Sequence, residues 1–151
     1  MIILGIDPGT TRIGIGVIKK DRNKLSCLYY GLIKQPSPAL ITSEISELIR
    51  KYRPEVAAVE KIFFFKNQKT IILVSEMRGV ILAALAVNGI PTREFTPLQV
   101  KQAVSGYGRS GKHQVELMVR MILGLNQEIK PDDAADGLAI AICCANTIIR
   151  E

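Results

Sequence analysis

The opening stretch, residues 1–18, narrows the choice of folds more than any other. It reads MIILGIDPGTTRIGIGVI: an apolar run climbs to Asp7, Pro8-Gly9-Thr10-Thr11 turn, and a second apolar run follows over residues 13–18. Runs of this length bounded by turn residues form buried strands, and so short a connection makes them antiparallel neighbours. Pro8 and Gly9 bend the chain directly after Asp7 and leave its carboxylate at the sheet's edge, open to close approach. An acid at the end of a buried strand is costly without a positive partner. Taken alone, Asp7 is equally explained as the cap of its own turn.

The chain then supplies elements for one mixed sheet. Residues 19–24, KKDRNK, read as a solvated turn, and residues 25–33 as a third strand, completing an antiparallel meander. Pro36-Ser37-Pro38 ends it. Apolar residues at helical spacing mark a helix over 39–52, stopped at Arg53-Pro54. Residues 55–60, EVAAVE, form a short strand after a crossover, expected to run parallel to the first and to bring Glu60 near Asp7. Glu60 has a plainer reading as a surface acid paired with Lys61. Residues 92–95 make a last short strand, and helices follow over 97–104 and 114–124. The expectation is a single α/β domain over residues 1–151, with a five-stranded sheet flanked by helices.

Two features carry partner information. Residues 70–88 read as a long helix apolar on nearly all faces, which needs a cover; a second copy of the chain is the preferred one. The net charge of +6 favours a polyanion, nucleic acid before an acidic membrane. Glu76 and Arg78 interrupt the apolar helix, so no membrane span is expected. Cys27, Cys143 and Cys144 form no disulfide framework, and no signal peptide precedes the first strand. A reducing, cytoplasmic setting is expected.

Basic and aromatic residues gather in two loops. Lys61-Ile62-Phe63-Phe64-Phe65-Lys66 interleaves rings with cations, a pattern suited to splayed nucleic acid, although one or more Phe could instead plug the core. Ser105–Lys112, SGYGRSGK, imitates a phosphate-binding P-loop, but His113 stands where Ser or Thr is needed and a helix precedes it. It reads as a glycine loop offering Arg109, Lys112 and His113 to backbone phosphates. His113, the sole histidine, is as well explained as a surface residue.

Acids close the pattern. Pro131-Asp132-Asp133-Ala134-Ala135-Asp136 opens the last helix, and Asp132 suits a helix start by itself. Asp133 and Asp136, three apart, share a face. If that helix packs across the strand ends, Asp7, Glu60, Asp133 and Asp136 converge and need cations to do so. Oxygen-only ligands suit Mg2+ or Mn2+, and a pair of such ions suits phosphodiester hydrolysis.

In order and spacing, Asp7-Pro8-Gly9-Thr10, Ala58-Val59-Glu60-Lys61-Ile62-Phe63 and Asp133-Ala134-Ala135-Asp136-Gly137 resemble the RuvC family of crossover junction endodeoxyribonucleases. The resemblance implies a ribonuclease H-like fold and a Mg2+-dependent homodimer that resolves four-way DNA junctions by paired, symmetric nicks. Two metal ions per site and 5′-phosphate and 3′-hydroxyl products are implied with it. Asp7, Glu60, Asp133 and Asp136 would be the ligands, Phe63 the ring stacking at the opened junction, and Lys101 and Lys112 the cations near the scissile strand. The family also implies a dimer through the apolar helix and work beside the RuvA–RuvB branch-migration machinery. The alternatives are a YqgF-like nuclease acting on RNA, which shares the opening motif, an actin-like nucleotide-binding module, and a junction-binding protein without catalysis.

Overall fold

The computed structural model describes residues 1–62, 67–108 and 111–148. Phe63, Lys66 and Arg109, three of the expected DNA contacts, lie outside the described residues. Five strands run β1 (Ile2–Asp7), β2 (Arg12–Asp21), β3 (Lys24–Lys34), β4 (Val56–Glu60) and β5 (Thr92–Phe95). Five helices join and cover them: α1 (Pro38–Tyr52), α2 (Gln68–Val87), α3 (Pro97–Ser105), α4 (Lys112–Leu123) and α5 (Asp132–Ile148).

The sheet order is β3-β2-β1-β4-β5. β1 pairs antiparallel with β2 and parallel with β4, so the meander and the crossover meet at the central strand. The edge at which Asp7 lies is therefore the row of strand ends, not a lateral edge. Ile6 registers with Val59, which brings the following acids, Asp7 and Glu60, side by side.

β2 departs from the sequence reading. Lys19, Lys20 and Asp21, expected in a solvated turn, stay in the strand and pair with Ser26, Leu25 and Lys24. Ladder hydrogen bonds to β3 override local polarity, and the turn shrinks to Arg22-Asn23. Lys20 also bridges layers, donating from Nζ to the Ala145 carbonyl at 2.8 Å near the end of α5.

Alternate residues of the strands face opposite layers, as a two-residue period requires. Ile3, Ile18, Val56 and Ala58 pack with α3, α4 and α5, while Leu4, Ile6, Ile13, Ile15 and Val17 pack with α1 and α2. The result is an α/β/α sandwich. α5 lies deepest, its Ala134–Ala145 stretch buried except for Asp136. Cys143 and Cys144 are small core residues, and burial pushes their thiols up to about 12 and about 11.

Helix ends follow capping chemistry. Ser37 caps α1, Asn67 caps α2, and Thr96 with Gln99 forms a capping box on α3. α3 ends at left-handed Gly106, so the glycine loop follows a helix and lacks the strand that a P-loop requires. α2 presents Val74, Ile81, Ala84 and Leu85 inward and leaves Ile72, Leu73 and Val87 exposed. By length and composition α2 alone among the described helices is able to cross a membrane. Its inner face packs on α1, and Arg78 within it pairs with Glu94.

Candidate active site

Backbone contact between α5 and the sheet builds the site. Gly5 and Gly14 face the α5 backbone so closely that any side chain there would overlap the carbonyl oxygens of Gly137 and Asp133. A Cβ on Gly16 would meet Leu138 N at 2.5 Å, and one on Gly137 would meet the Ile15 carbonyl carbon at 2.6 Å. Glycine in a strand commonly marks such an approach. With no side chains between them, the first turns of α5 lie directly on the ends of β1 and β2.

That seating brings the acids together. One carboxylate oxygen from each of Asp7, Asp133 and Asp136 lies within 4.8 Å of the others. Glu60 stands outside this trio but is hydrogen-bonded to Asp7. Two carboxyls share such a bond only with a proton between them. Burial first, then the charges of Glu60, Asp136 and Asp133, holds the Asp7 carboxyl well above the usual range. Glu60 and Asp136 are also raised, in each case chiefly by burial. Asp132 is exposed on the adjoining helix position and has no place in the trio.

Cations answer these acids. Lys112, at the start of α4, lies 3.5 Å from Asp136 Oδ2 and 3.9 Å from Asp133 Oδ1. Asp136 foremost raises the Lys112 ammonium above its ordinary value. Lys101 on α3 acts electrostatically on Glu60. Lys101 and Lys112 line a cleft of about 260 Å3 with Asp7, Glu60, Asp136, Val100 and Val115. His113 lines an adjoining hollow that shares Lys112 and Asp136 with the cleft and includes Glu116, Glu128 and Asp132. Lys61 is exposed just past Glu60, its backbone N–H donating to the Phe95 carbonyl at 2.8 Å.

Two arginines to which the sequence assigned no place in the site stand at it. Arg12 opens β2, and its Nε lies 3.2 Å from Asp133 Oδ2. Its position in the opening motif was visible, but its partner lies over a hundred residues away. Arg78 of α2 donates from Nε to the Glu60 carbonyl at 3.2 Å and pairs with Glu94. It thus braces the end of β4 that carries Glu60, a role a mid-helix arginine does not advertise.

The donor set fits hard divalent cations. All four side chains offer oxygen, three converge within one ion's reach, and the raised carboxyls register the repulsion that a cation would relieve. Fold and site together define a class: a ribonuclease H-like scaffold with an acidic centre of the kind that metal-dependent nucleases use.

Comparison with known proteins sharpens the class. The family profile described as "Crossover junction endodeoxyribonuclease RuvC" matches residues 3–144. A protein of that name from Syntrophomonas wolfei is 49% identical over 95% of this chain and 87% of its own length. The one from Moorella thermoacetica is 47% identical over 97% of this chain and 92% of its own. Among solved structures, "T. thermophilus RuvC in complex with Holliday junction substrate" superposes with a TM-score of 0.92 at 36% identity, covering 99% of this chain and 96% of that one. The chain belongs to the RuvC family of crossover junction endodeoxyribonucleases. That decides between the two nuclease families that share the opening motif.

Proposed function

We propose that this chain is a Holliday junction resolvase that nicks two strands of a four-way DNA junction symmetrically during recombination and repair. The carboxylate cluster at the ends of β1, β4 and α5, in a fold that superposes on a junction-bound RuvC, carries the reading. Asp7, Asp133 and Asp136, with Glu60 beside them, are the residues that hold Mg2+, or Mn2+ in its stead. A pair of such ions held there would supply Lewis-acid activation of a water and charge stabilisation at the departing 3′ oxygen, chemistry that yields 5′-phosphate and 3′-hydroxyl ends.

The chain's own residues do the rest. The cleft beside Lys101 and Lys112 admits the scissile strand. Lys112 exchanges its carboxylate partners for a phosphate oxygen and offsets the negative charge gathering there. Val100 and Val115, both buried, line the cleft wall and limit the water around the strand. Phe63 stacks on a base at the opened crossover. Lys61, Lys66, Arg109 and His113 serve flanking phosphates.

Two sites are needed for paired cuts, and a two-fold dimer supplies them. The exposed apolar face of α2 is the surface through which two copies join. RuvA–RuvB is the branch-migration partner, and the cytoplasm, where the DNA lies, is the place of action.

Cleavage of a synthetic mobile four-way junction tests the reading, beside linear duplex and structured RNA. Symmetric, ligatable nicks in the junction alone, lost in EDTA, are the expected result. Junction binding without cutting in Mg2+ and Mn2+ would reduce the four acids to structural roles.

A further inference from the structure

Asp133 differs from the other acids of the centre in its cations. Arg12 Nε lies 3.2 Å from its Oδ2, and Lys112 Nζ lies 3.9 Å from its Oδ1. The Arg12 side chain is 54% exposed. Ion pairs as exposed as this add little to folding stability. The consequence of the Arg12 contact is therefore to be sought at the site.

Two physical facts set that consequence. A divalent cation approaching the Asp133 carboxylate meets a fixed positive charge already on it, and like charges repel. The guanidinium also occupies one of the two Asp133 oxygens. Arg12 has an alternative partner, however. Its backbone is anchored as the first residue of β2, opposite Lys34 of β3, while its head reaches solvent on the rim of the acidic centre. Guanidinium binds phosphate at least as readily as carboxylate, in the same forked geometry.

We propose that Arg12 is a resident counter-ion of Asp133 that a DNA phosphate draws away, so that metal loading and junction binding reinforce one another. The inference rests on the resolvase reading. Without DNA, Arg12 weakens cation binding and offsets the charge of Asp133. With a strand in the cleft, it moves to phosphate and the carboxylate is freed. Linkage makes the effect reciprocal: the metal tightens the junction by the factor with which the junction tightens the metal. Arg12 is thus a positioning residue, acting through Asp133.

Mn2+ binding, followed by electron paramagnetic resonance of the free ion, tests this without reference to turnover. The protein is titrated alone and with a four-way junction carrying phosphorothioate linkages across its centre to slow cutting. Arg12→Gln should bind Mn2+ about five- to tenfold more tightly than the unaltered chain when DNA is absent. Junction should tighten Mn2+ binding in both proteins, since the scissile phosphate itself adds oxygen ligands, but by about five- to tenfold more in the unaltered chain than in Arg12→Gln. Arg12→Lys, which keeps the charge, should follow the unaltered chain in DNA-free affinity. Equal or weaker Mn2+ binding by Arg12→Gln without DNA overturns the proposal, as does a coupling factor in that variant equal to that of the unaltered chain. If the unaltered chain binds no Mn2+, or binds it equally after Asp7→Asn, the metal-centre reading falls, and this inference with it.

Discussion

Among single residues, Asp7 shows most directly how function strains the fold. Its carboxyl is held under a turn and beside three acids, and burial is the chief cause of its raised pKa. The sign of the resulting pH dependence follows from linkage. Below the ordinary carboxyl value of 3.8, folded and unfolded chains both keep this proton. As pH rises, the unfolded chain loses it first, so folding stability falls until the folded group has ionised as well. At neutral pH the metal-free protein therefore carries a penalty that Asn would not. Asp7→Asn should lower cleavage about a hundred- to a thousandfold, judged by the loss of comparable charge-stabilising groups. It should leave junction binding in place and raise the melting temperature in EDTA by a few degrees, equivalent to ~1 kcal/mol. Mg2+ should raise the melting temperature of the unaltered chain and not that of the variant. Thermal unfolding with and without Mg2+ measures both effects. A variant that melts lower in EDTA would show that Asp7 stabilises the metal-free fold instead.

At the scale of elements, the seating of α5 on the sheet decides where the acids fall. Gly14 lies under the Asp133 carbonyl with no room for a methyl group. Gly14→Ala must displace the first turn of α5, at a cost of about 1–3 kcal/mol in stability. It should also raise the Mg2+ concentration needed for half-maximal cutting several-fold, because ligand geometry is disturbed. Lys20→Met provides the contrast at the far end of the same helix. It removes the hydrogen bond to the Ala145 carbonyl and should cost about 0.5–1 kcal/mol, without moving the Mg2+ midpoint. Denaturant melts and Mg2+ titrations of cleavage separate the two. Equal midpoints for Gly14→Ala and the unaltered chain would mean that α5 accommodates the methyl without moving its acids. These glycines also show what sequence could and could not disclose. The hairpin, the crossover to Glu60 and the shared face of Asp133 and Asp136 were legible because apolar period and turn residues act locally. Gly5, Gly14 and Gly16 stood in plain view within strands, but only the packed helix gives their spacing a meaning. Lys19–Asp21 were mistaken for a turn because their strand state depends on β3. Arg12 was missed because its partner is joined to it only by the fold.

Over the whole molecule, the outer face of α2 is without a cover among the described residues. Ile72, Leu73 and Val87 on α2 are 57%, 48% and 87% exposed. Gly79 and Ala83 are exposed on the same helix, and a Cβ on Gly79 would meet nothing within 4 Å. Ile72, Glu76, Gly79, Ala83 and Val87 recur at helical spacing, so the outward stripe is mostly apolar and small. Such a stripe permits close approach of a second helix, and a two-fold pairing would set each copy's Glu76 within the same interface. The opposite stripe, with Val74, Ile81 and Leu85, is already committed to the core, so a change on the outer one can separate association from folding. Ala83→Arg places a long cation on the outer stripe of each partner and desolvates both on association. The unaltered chain should sediment as a dimer and the variant, at the same concentration, as a monomer with its circular dichroism spectrum unchanged. It should bind the junction more weakly and cut its strands singly, since each acidic centre is complete within one chain but paired cuts need two. Supercoiled plasmids carrying an extruded cruciform distinguish these outcomes: paired cuts within one binding event linearise the plasmid, whereas single cuts relax it to a nicked circle. Linear product from a demonstrably monomeric variant would show that the second cut does not need a partner held through α2.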